Sequence, residues 1–557
     1  MTFLYSVDIN SQQNQKVKKI IMLNIQNPKQ RYIFDPWDNI SPKRRRLLDS
    51  GWPGLFCQYI LPSIPVAEVA KYFNADMGRP SKELYAMLGA LILQQAFNLT
   101  DEETVQQYAF NTQWHYALNI TEESDDAKYL CLKTLWSNRD IIVGNDLEDK
   151  IFSAGTQKLA QAFKVNMDKQ RLDSVHIKSN MRRLGRIGIF SETIHKFLVN
   201  LKRQHPARFG TVDKQIIEKY LTESALGCFS MVKPSESGKT LIEVSKDLFE
   251  LFTQFKCCDE TVSMNSFKLL ERVLNEHCNL TGNTDNPVEI KKPKEIASDS
   301  LQNPSDPDAT YSSHKGQGYH VQIMETYSPC DNPEEKTLNL ITYVHVEQAH
   351  QSDANALEPA IESAEADGLK PKEVLADSLY GSDDNCKKAE AREVVVVAPV
   401  MGTVKKNQLG LSDFKMSDNG LIIACPQGHA PATVKKKKRN SVGFDIKLCS
   451  NCPIRSQCPV KIGNKFYYLR FKEKDRRIAL RRLYERTDEF KDRYRWRAGI
   501  EGAISEYDRR TGVKRLRVRG LKAVGYCAVL KALGVNIFRA AAFRIAQMMS
   551  GQGLCAA

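Results

Sequence analysis

The sequence lacks an apolar segment near its start, because residues 1–30 are polar and rich in Gln, Asn and Lys. It also lacks an uninterrupted hydrophobic run: Lys531, Arg539 and Arg544 divide the most apolar stretch, residues 523–549. A secretory signal requires an apolar core, and a membrane-spanning helix requires about 20 mostly apolar residues. We therefore expect a cytoplasmic protein with no membrane span, in which residues 523–549 form an amphipathic helix.

Acidic residues are fewer than basic ones, with 66 Asp and Glu against 80 Lys and Arg and a net charge of +14. The excess is concentrated in residues 461–520, which hold 20 Lys and Arg but only 9 Asp and Glu. Residues 435–439 add five consecutive cations. Solvated helix faces and a loop would explain this pattern, but we favour contact with nucleic-acid phosphates.

The 14 cysteines are mostly isolated, which is typical of inert thiols in a reducing compartment. Four of them lie close together in the chain, Cys425, Cys449, Cys452 and Cys458, and His429 lies among them. Thiolates bind Zn²⁺ tetrahedrally, and a Cys-x2-Cys turn lets two sulfurs reach one ion. Scattered free cysteines are the alternative. We predict a structural Zn²⁺ held by the four cysteines, with His429 in reserve.

The length of 557 residues allows two to four domains, and the first of them is predicted to be helical. Apolar residues recur at helical spacing from Leu84 to Leu91, after a start signal at Pro80 and Ser81. Thr100 opens a Thr-x-x-Glu capping box for the next helix. The two helices could enter a DNA groove with Trp114 nearby, although a plain helical bundle is the simpler interpretation.

The middle of the chain has α/β character. Alternating or β-branched residues predict strands, and the run at 394–397 is typical of a strand buried on both faces. We predict strands at 168–178, 319–326, 340–347, 374–377 and 394–397, and helices at 353–367, 383–393 and 488–508. The order predicts a mixed sheet with helices packed on it.

Three acids stand in positions suited to metal-dependent phosphoryl transfer. Asp173 interrupts an apolar strand, Asp377 ends another, and Glu501 lies on the predicted helix. Tyr494 and Arg497 precede Glu501 by seven and four residues and share its helix face. Mg²⁺ prefers carboxylate oxygens, and two such ions serve in-line displacement at phosphorus. An Asp in a strand is usually an edge or capping residue, so periodicity alone does not select these three.

These motifs resemble those of DDE transposases of bacterial insertion sequences. The resemblance rests on Leu-Asp-Ser-Val-His around Asp173, Leu-Ala-Asp-Ser-Leu-Tyr-Gly around Asp377, and Tyr-x2-Arg-x3-Glu ending at Glu501. Residues 78–114, residues 305–319 and the Arg-Gly-Leu ending at Leu521 resemble further parts of the group with a Tyr-Arg-Glu-Lys signature and an internal cysteine cluster.

The resemblance covers residues 35–545 and implies an RNase H-like mixed sheet flanked by helices. In that core, Asp173, Asp377 and Glu501 would bind two Mg²⁺ or Mn²⁺ ions, with Tyr494 and Arg497 in support. One departure is clear: the signature Lys is replaced by Asp508, so Arg509, Arg510 or Lys514 would supply the cation.

The predicted organisation is as follows. It comprises a disordered extension at 1–34, a helical DNA-binding domain at 35–150, a catalytic core at 165–184, 306–400 and 488–510, a helical insertion at 185–305, a zinc-binding cysteine-cluster insertion at 401–487, and a basic helical region at 511–557. The predicted DNA contacts are Lys315, Lys435, Lys436, Lys437, Lys438, Arg439, Lys514, Arg515, Arg517 and Arg519.

The resulting hypothesis is a nucleoid-associated transposase that cleaves element ends and joins them to target DNA. Its partners would be double-stranded terminal inverted repeats, target DNA and a second copy of the chain in a synaptic homodimer. A metal-dependent nuclease without strand transfer, a non-catalytic DNA-binding descendant and a zinc-dependent RNA-binding module are the alternatives.

Overall fold

The computed structural model describes residues 23–28, 35–74, 80–222, 234–283, 286–332, 337–402, 407–417, 420–435 and 439–549. Most of the predicted disordered extension, residues 1–34, lies outside these ranges. Residues 23–28 are described, and they are held in place: the Asn24 amide donates to Ser81 Oγ at 2.9 Å, and the Asn24 carbonyl accepts from the Leu84 amide at 3.0 Å. These two hydrogen bonds connect this short segment to the start of the helix at Leu84–Ala96.

The N-terminal part of the chain is helical. Its helices are α1 Pro42–Ser50, α2 Trp52–Leu55, α3 Val66–Ala70, α4 Leu84–Ala96, α5 Asp101–Phe110, α6 Thr112–Ala117, α7 Asp125–Lys128, α8 Leu132–Gly144 and α9 Glu148–Ala162. The predicted capping box at Thr100 is confirmed, since Thr100 Oγ1 accepts from the Glu103 amide at 3.1 Å. Helix α4 begins later than predicted, because Glu83 rather than Ser81 caps it.

The sheet begins with β1 Lys169–Lys178 and is interrupted by a helical segment. That segment contains α10 Arg186–Gln204, α11 Pro206–Phe209, α12 Lys214–Tyr220, α13 Ser237–Phe255, α14 Asp259–Val262, α15 Asn265–His277 and the hairpin β2 Cys278–Leu280 with β3 Val288–Ile290. It has its own apolar core, formed by residues such as Phe197, Leu248 and Phe267. Its packing is thus largely separate from that of the sheet.

The chain then returns to the sheet. The remaining elements of this part are β4 Thr310–Ser312, β5 Gly316–Thr326, β6 Ile341–Gln348, α16 Leu357–Ala366, β7 Glu373–Leu375, α17 Asp383–Ala391 and β8 Val395–Val397. Strands β4 and β6 both pair antiparallel with β5, β5 pairs antiparallel with β1, and β1, β7 and β8 run parallel to one another. The sheet is mixed, as predicted, and helices flank it.

One strand differs from its prediction. β8 is the last strand on its side of the sheet, and Val395 is 54% exposed, so the expectation of burial on both faces is wrong. A β-branched run favours a strand but does not say whether the strand has two neighbours.

The cysteine-bearing segment folds around small sheets. It contains β9 Lys415–Met416, β10 Ile422–Ala424, β11 Thr433–Lys435, β12 Asn440–Phe444, α18 Ile446–Ser450, β13 Lys461–Ile462, β14 Tyr467–Phe471 and α19 Glu473–Tyr484. Strands β11, β12, β14 and β13 form one antiparallel sheet in that order. Val442, Phe444 and Leu469 on one face of this sheet belong to a core against which Cys425, Cys449 and Cys458 pack.

The last helices are α20 Asp488–Tyr494, α21 Gly499–Thr511 and α22 Leu521–Met549. The single helix predicted for 488–508 is wrong, because a 3₁₀ turn at Arg495–Ala498 separates α20 from α21. Helix α22 packs against α4, α9 and β6. Among the described helices, α22 is long and apolar enough to cross a membrane, but 72% of its most apolar window is buried inside the protein. It is a core helix, so the amphipathic prediction is also wrong.

Candidate active site

Strands β1 and β7 bring two of the predicted acids to the same level of the sheet. The strands pair in parallel up to Arg171 opposite Leu375. Asp173 lies two residues after Arg171, and Asp377 lies two residues after Leu375. Neighbouring strands are about 4.8 Å apart, and the charge of Asp377 acts on the Asp173 carboxyl. The two acids therefore lie near each other although 204 positions separate them in the sequence.

Arg497 joins the third acid to this pair. Its Nη2 lies 2.6 Å from Oδ2 of Asp173, and its Nη1 lies 3.4 Å from Oε1 of Glu501. The Asp173 side chain is 16% exposed, whereas that of Glu501 is 72% exposed. The structure thus places Glu501 at the rim of the Asp173 site, with a guanidinium between the two acids.

Arg171 and Gly499 set the position of this guanidinium, and sequence reasoning missed both. The Arg171 side chain pairs with Glu325 on β5 at 2.6 Å and donates to the Trp496 carbonyl at 2.8 Å. A Cβ on Gly499 would lie 2.7 Å from Cζ of Arg171, so only glycine allows this approach. The 3₁₀ turn that carries Arg497 is therefore held directly against β1.

A chain of buried ion pairs extends from this contact. Glu325 is 1% exposed and also pairs with Arg539 of α22 at 2.9 Å, while Arg539 pairs with Glu506 of α21 at 2.8 Å. Buried carboxylates and guanidinium groups need such partners, because an unpaired charge there is costly. The chain fixes α21 relative to the sheet and to α22.

The electrostatic environment of Asp173 reflects its surroundings. Burial raises the pKa of its carboxyl, Arg497 opposes that rise, and the nearby charges of Asp377 and Asp353 add to it. Burial likewise raises the pKa of Tyr494, and the carboxylates of Asp377 and Asp173 contribute. The predicted supporting residue Tyr494 therefore faces the same acids, although no hydrogen bond to them is described.

Asp353 is a fourth acid near the site that sequence reasoning did not select. Its carboxylate accepts from Ser174 Oγ at 2.9 Å, Lys315 Nζ at 3.1 Å and Gln322 Nε2 at 3.0 Å. Despite burial, hydrogen bonds and the charge of Lys315 hold the pKa of Asp353 well below its ordinary value. The only sequence signal was its place at the start of a predicted helix.

The predicted DNA contacts fall into different environments. Lys315 is half-buried and bonded to Asp353 and Ser174, which ties it to the site. Lys436, Lys437 and Lys438 lie outside the described residues. The others, Lys435, Arg439, Lys514, Arg515, Arg517 and Arg519, are exposed or partly exposed. Trp114, in contrast, is 1% exposed in the helical core, so it is not available for DNA contact.

Lys514 lies next to the residue that replaces the signature Lys. Its Nζ is 3.9 Å from Oδ2 of Asp508, and its amide donates to Oδ1 of the same residue at 3.1 Å. Arg510 instead pairs with Glu506 at 2.8 Å. Lys514 and Arg510 are thus both paired with acids of the same helix, whereas Arg509 is exposed.

The four predicted zinc ligands line one small pocket, together with His429. The pKa of the Cys449 thiol is raised to about 11, first by burial and then by the neighbouring Cys458, Cys425 and Cys452. Within the described ranges, no group of three or more His, Cys, Asp or Glu has an arrangement ready to hold a metal ion. This applies to the cysteines and to the three acids alike.

Two protein families match this chain. Residues 424–541 match the model of the transposase DDE domain. Residues 54–140 match the transposase domain DUF772. The two matches support a DDE transposase of an insertion sequence.

The two matches cover different parts of the transposase. The DDE-domain match includes Tyr494, Arg497, Glu501 and all four clustered cysteines, whereas Asp173 and Asp377 lie outside both matched ranges. No curated protein and no solved structure matches the chain. The DDE-domain match is typical of a DNA-cleaving enzyme, and proteins of that family generally use divalent metal ions.

Proposed function

We propose that this transposase cleaves DNA at the ends of its insertion sequence and joins the freed 3′-hydroxyl to target DNA. The observation that carries the proposal is the contact of Arg497 with both Asp173 and Glu501, beside the parallel strand that leads to Asp377. The sheet order, in which β6, β5 and β1 are antiparallel neighbours and β7 and β8 run parallel to β1, supports an RNase H-like core.

The donor set fits Mg²⁺ or Mn²⁺. Asp173, Asp377 and Glu501 offer only hard carboxylate oxygens, which such ions prefer, and Arg497 already supplies positive charge between two of them. When bound, a pair of ions would activate the attacking oxygen and stabilise the leaving one. Tyr494 and Arg497 would orient the carboxylates, and Lys514 would take the role of the signature Lys.

Both steps are in-line displacements at phosphorus. Water is the nucleophile in the cleavage step, and its attack releases a 3′-hydroxyl on the element end. That hydroxyl is the nucleophile in the joining step, which breaks one phosphodiester bond in the target as it forms another. One constellation of acids can therefore serve both reactions, with two copies of the chain holding the two ends.

Pre-cleaved element ends and a supercoiled plasmid target test this proposal. The end sequences are taken from the inverted repeats that flank the coding region. We expect end-joined plasmid in Mg²⁺. Nicked plasmid without joined product would instead support a nuclease, and DNA binding without any reaction would support a non-catalytic descendant. Preferential binding of RNA over repeat DNA would support an RNA-binding module.

We also propose that Cys425, Cys449, Cys452 and Cys458 hold a structural Zn²⁺. Their shared pocket supports this, and sulfur ligands suit zinc. We expect about one zinc per chain by elemental analysis, lost in Cys452→Ser. The exposed Cys257 is the control, because Cys257→Ser should retain the metal. Equal zinc content in both variants would contradict the assignment.

A further inference from the structure

The four-stranded sheet of the cysteine-bearing segment has two different faces. Side chains alternate along β14: Tyr467, Leu469 and Phe471 are buried, whereas Tyr468 is half-buried and Arg470 is exposed. Residues directly opposite on paired antiparallel strands share a face. One face therefore covers the cysteine core, and the other is open to solvent.

The open face carries cations from three strands. Lys435 on β11 lies opposite Ser441 on β12, which lies opposite Arg470 on β14. Lys461 on β13 lies opposite Tyr468, whose ring the Arg470 guanidinium approaches to 5.3 Å from the centroid. Lys435, Lys461 and Arg470 are all exposed. With strands about 4.8 Å apart, these cations form a band that crosses the sheet.

In the part of the chain that the structure describes, the cations of this band have no acidic partner. Residues 426–472 hold 11 Lys and Arg and a single acid, Asp445. Among the described residues, none of Lys435, Lys461 and Arg470 forms an ion pair. The next helix, α19, is different: its cations Lys474, Arg476 and Arg477 pair with Asp384, Glu473 and Asp383. Unpaired cations on a rigid sheet face are suited to an external polyanion.

We propose that this open sheet face, with Lys435, Lys461 and Arg470, is a binding surface for the phosphate backbone of double-stranded DNA. The assignment rests on the proposed function and adds to it a surface separate from the acidic site. Cations reach phosphates irrespective of base sequence. The contact would therefore hold DNA outside the cleavage point without reading its sequence.

Salt dependence of DNA binding measures such contacts directly. Each phosphate neutralised adds about 0.9 to the slope of log affinity against log salt. The triple variant Lys435→Gln, Lys461→Gln, Arg470→Gln should therefore lower the slope by about 2.7. Between 50 and 200 mM salt, the ratio of the DNA affinity of the wild type to that of the variant should fall by about 40-fold. Fluorescence anisotropy with a labelled random-sequence duplex gives both values.

A matched control removes three cations that are already paired. Lys71, Lys372 and Lys491 are exposed and bound to Glu68, Asp168 and Asp488. Their replacement by Gln changes the net charge equally and should leave the slope near that of the wild type. An unchanged slope in the sheet variant, or an equal loss in the control, would overturn the assignment.

Two further readouts separate this proposal from the proposed function. If the wild type joins ends and the triple variant has the same salt slope of DNA binding as the wild type, only the sheet assignment fails. If the wild type joins no ends but the triple variant has a smaller salt slope of DNA binding, the proposed function fails and the DNA-binding surface is supported. A loss seen only with an RNA duplex would overturn the choice of DNA. Equal melting temperatures would show that each variant is folded.

Discussion

Replacement of Gly499 by Ala tests how Arg171 positions the arginine of the site. A Cβ at this position would lie 2.7 Å from Cζ of Arg171 and 2.9 Å from its Nη2. It would lie closer still to Nη1 of the same side chain. Ordinary contacts are about 3.5–4.0 Å, so the guanidinium or the helix start must move by more than about 1 Å. Gly499 has no backbone strain, so the cost arises from this close approach alone.

The structure sets the size of the effect. Overpacking in a close-packed interior costs about 1–3 kcal/mol. The displaced Arg171 also weakens its hydrogen bond to Trp496 and its pair with the buried Glu325, a further cost of about 1.5–3 kcal/mol for a charged bond. We expect the unfolding free energy to fall by about 2–4 kcal/mol, because part of the strain can relax.

Gly502 on the same helix provides the control. A Cβ there would meet nothing within 4 Å, so Gly502→Ala should stabilise the protein by about 0.5–1 kcal/mol through helix propensity. Denaturant unfolding measures both variants. End cleavage should fall on the order of 100-fold in Gly499→Ala, because a shift of about 1 Å at the site has that effect, and should be unchanged in Gly502→Ala.

The opposite result would refute the reasoning. If Gly499→Ala were as stable and as active as Gly502→Ala, Arg171 would not hold the 3₁₀ turn in the way described. A Gly499→Ala protein that is stable but cleaves more slowly would still support the positioning role of Arg171. It would show that the start of α21 moves and that the core packing is not disturbed.

Three other changes have defined outcomes. Asp353→Asn should cost about 1–3 kcal/mol in denaturant unfolding, because Lys315 loses its charged acceptor; unaltered stability would contradict the described network. Thr100→Ala should cost about 1 kcal/mol by removing the helix cap, which the same unfolding measurement detects. Burial lowers the pKa of Lys531 to about 8, so between pH 8 and 10 the unfolded chain holds more protons there. Stability of the wild type relative to Lys531→Met should therefore rise with pH over that range, and a flat difference would contradict this.

Local patterns predicted the elements of the sheet but not their relations. The alternation around Asp173 and the short run before Asp377 predicted two strands, and both exist with slightly different ends. That these strands are parallel neighbours depends on the route of 200 residues between them, which no local spacing encodes. The family resemblance supplied the connection between the acids.

The residues that were missed act across long distances. Arg171 and Gly499 look ordinary in the sequence, and their importance arises because one guanidinium fills the space that a Cβ would need. The prediction that Trp114 contacts DNA was wrong because its side chain is buried in the helical core. An aromatic residue in a helical segment is more often a core residue than a DNA contact.

Single-turnover cleavage of a terminal-repeat duplex in Mg²⁺ tests the central claim most directly. The variants are Asp173→Asn, Asp377→Asn and Glu501→Gln, and the exposed Glu489→Gln on α20 is the control. Loss of a metal-holding carboxylate should remove several kcal/mol of transition-state stabilisation, or about 1,000-fold in rate, while duplex binding and the control rate persist. Cleavage at the wild-type rate by any of the three variants would contradict the assignment of that acid to the metal-binding set.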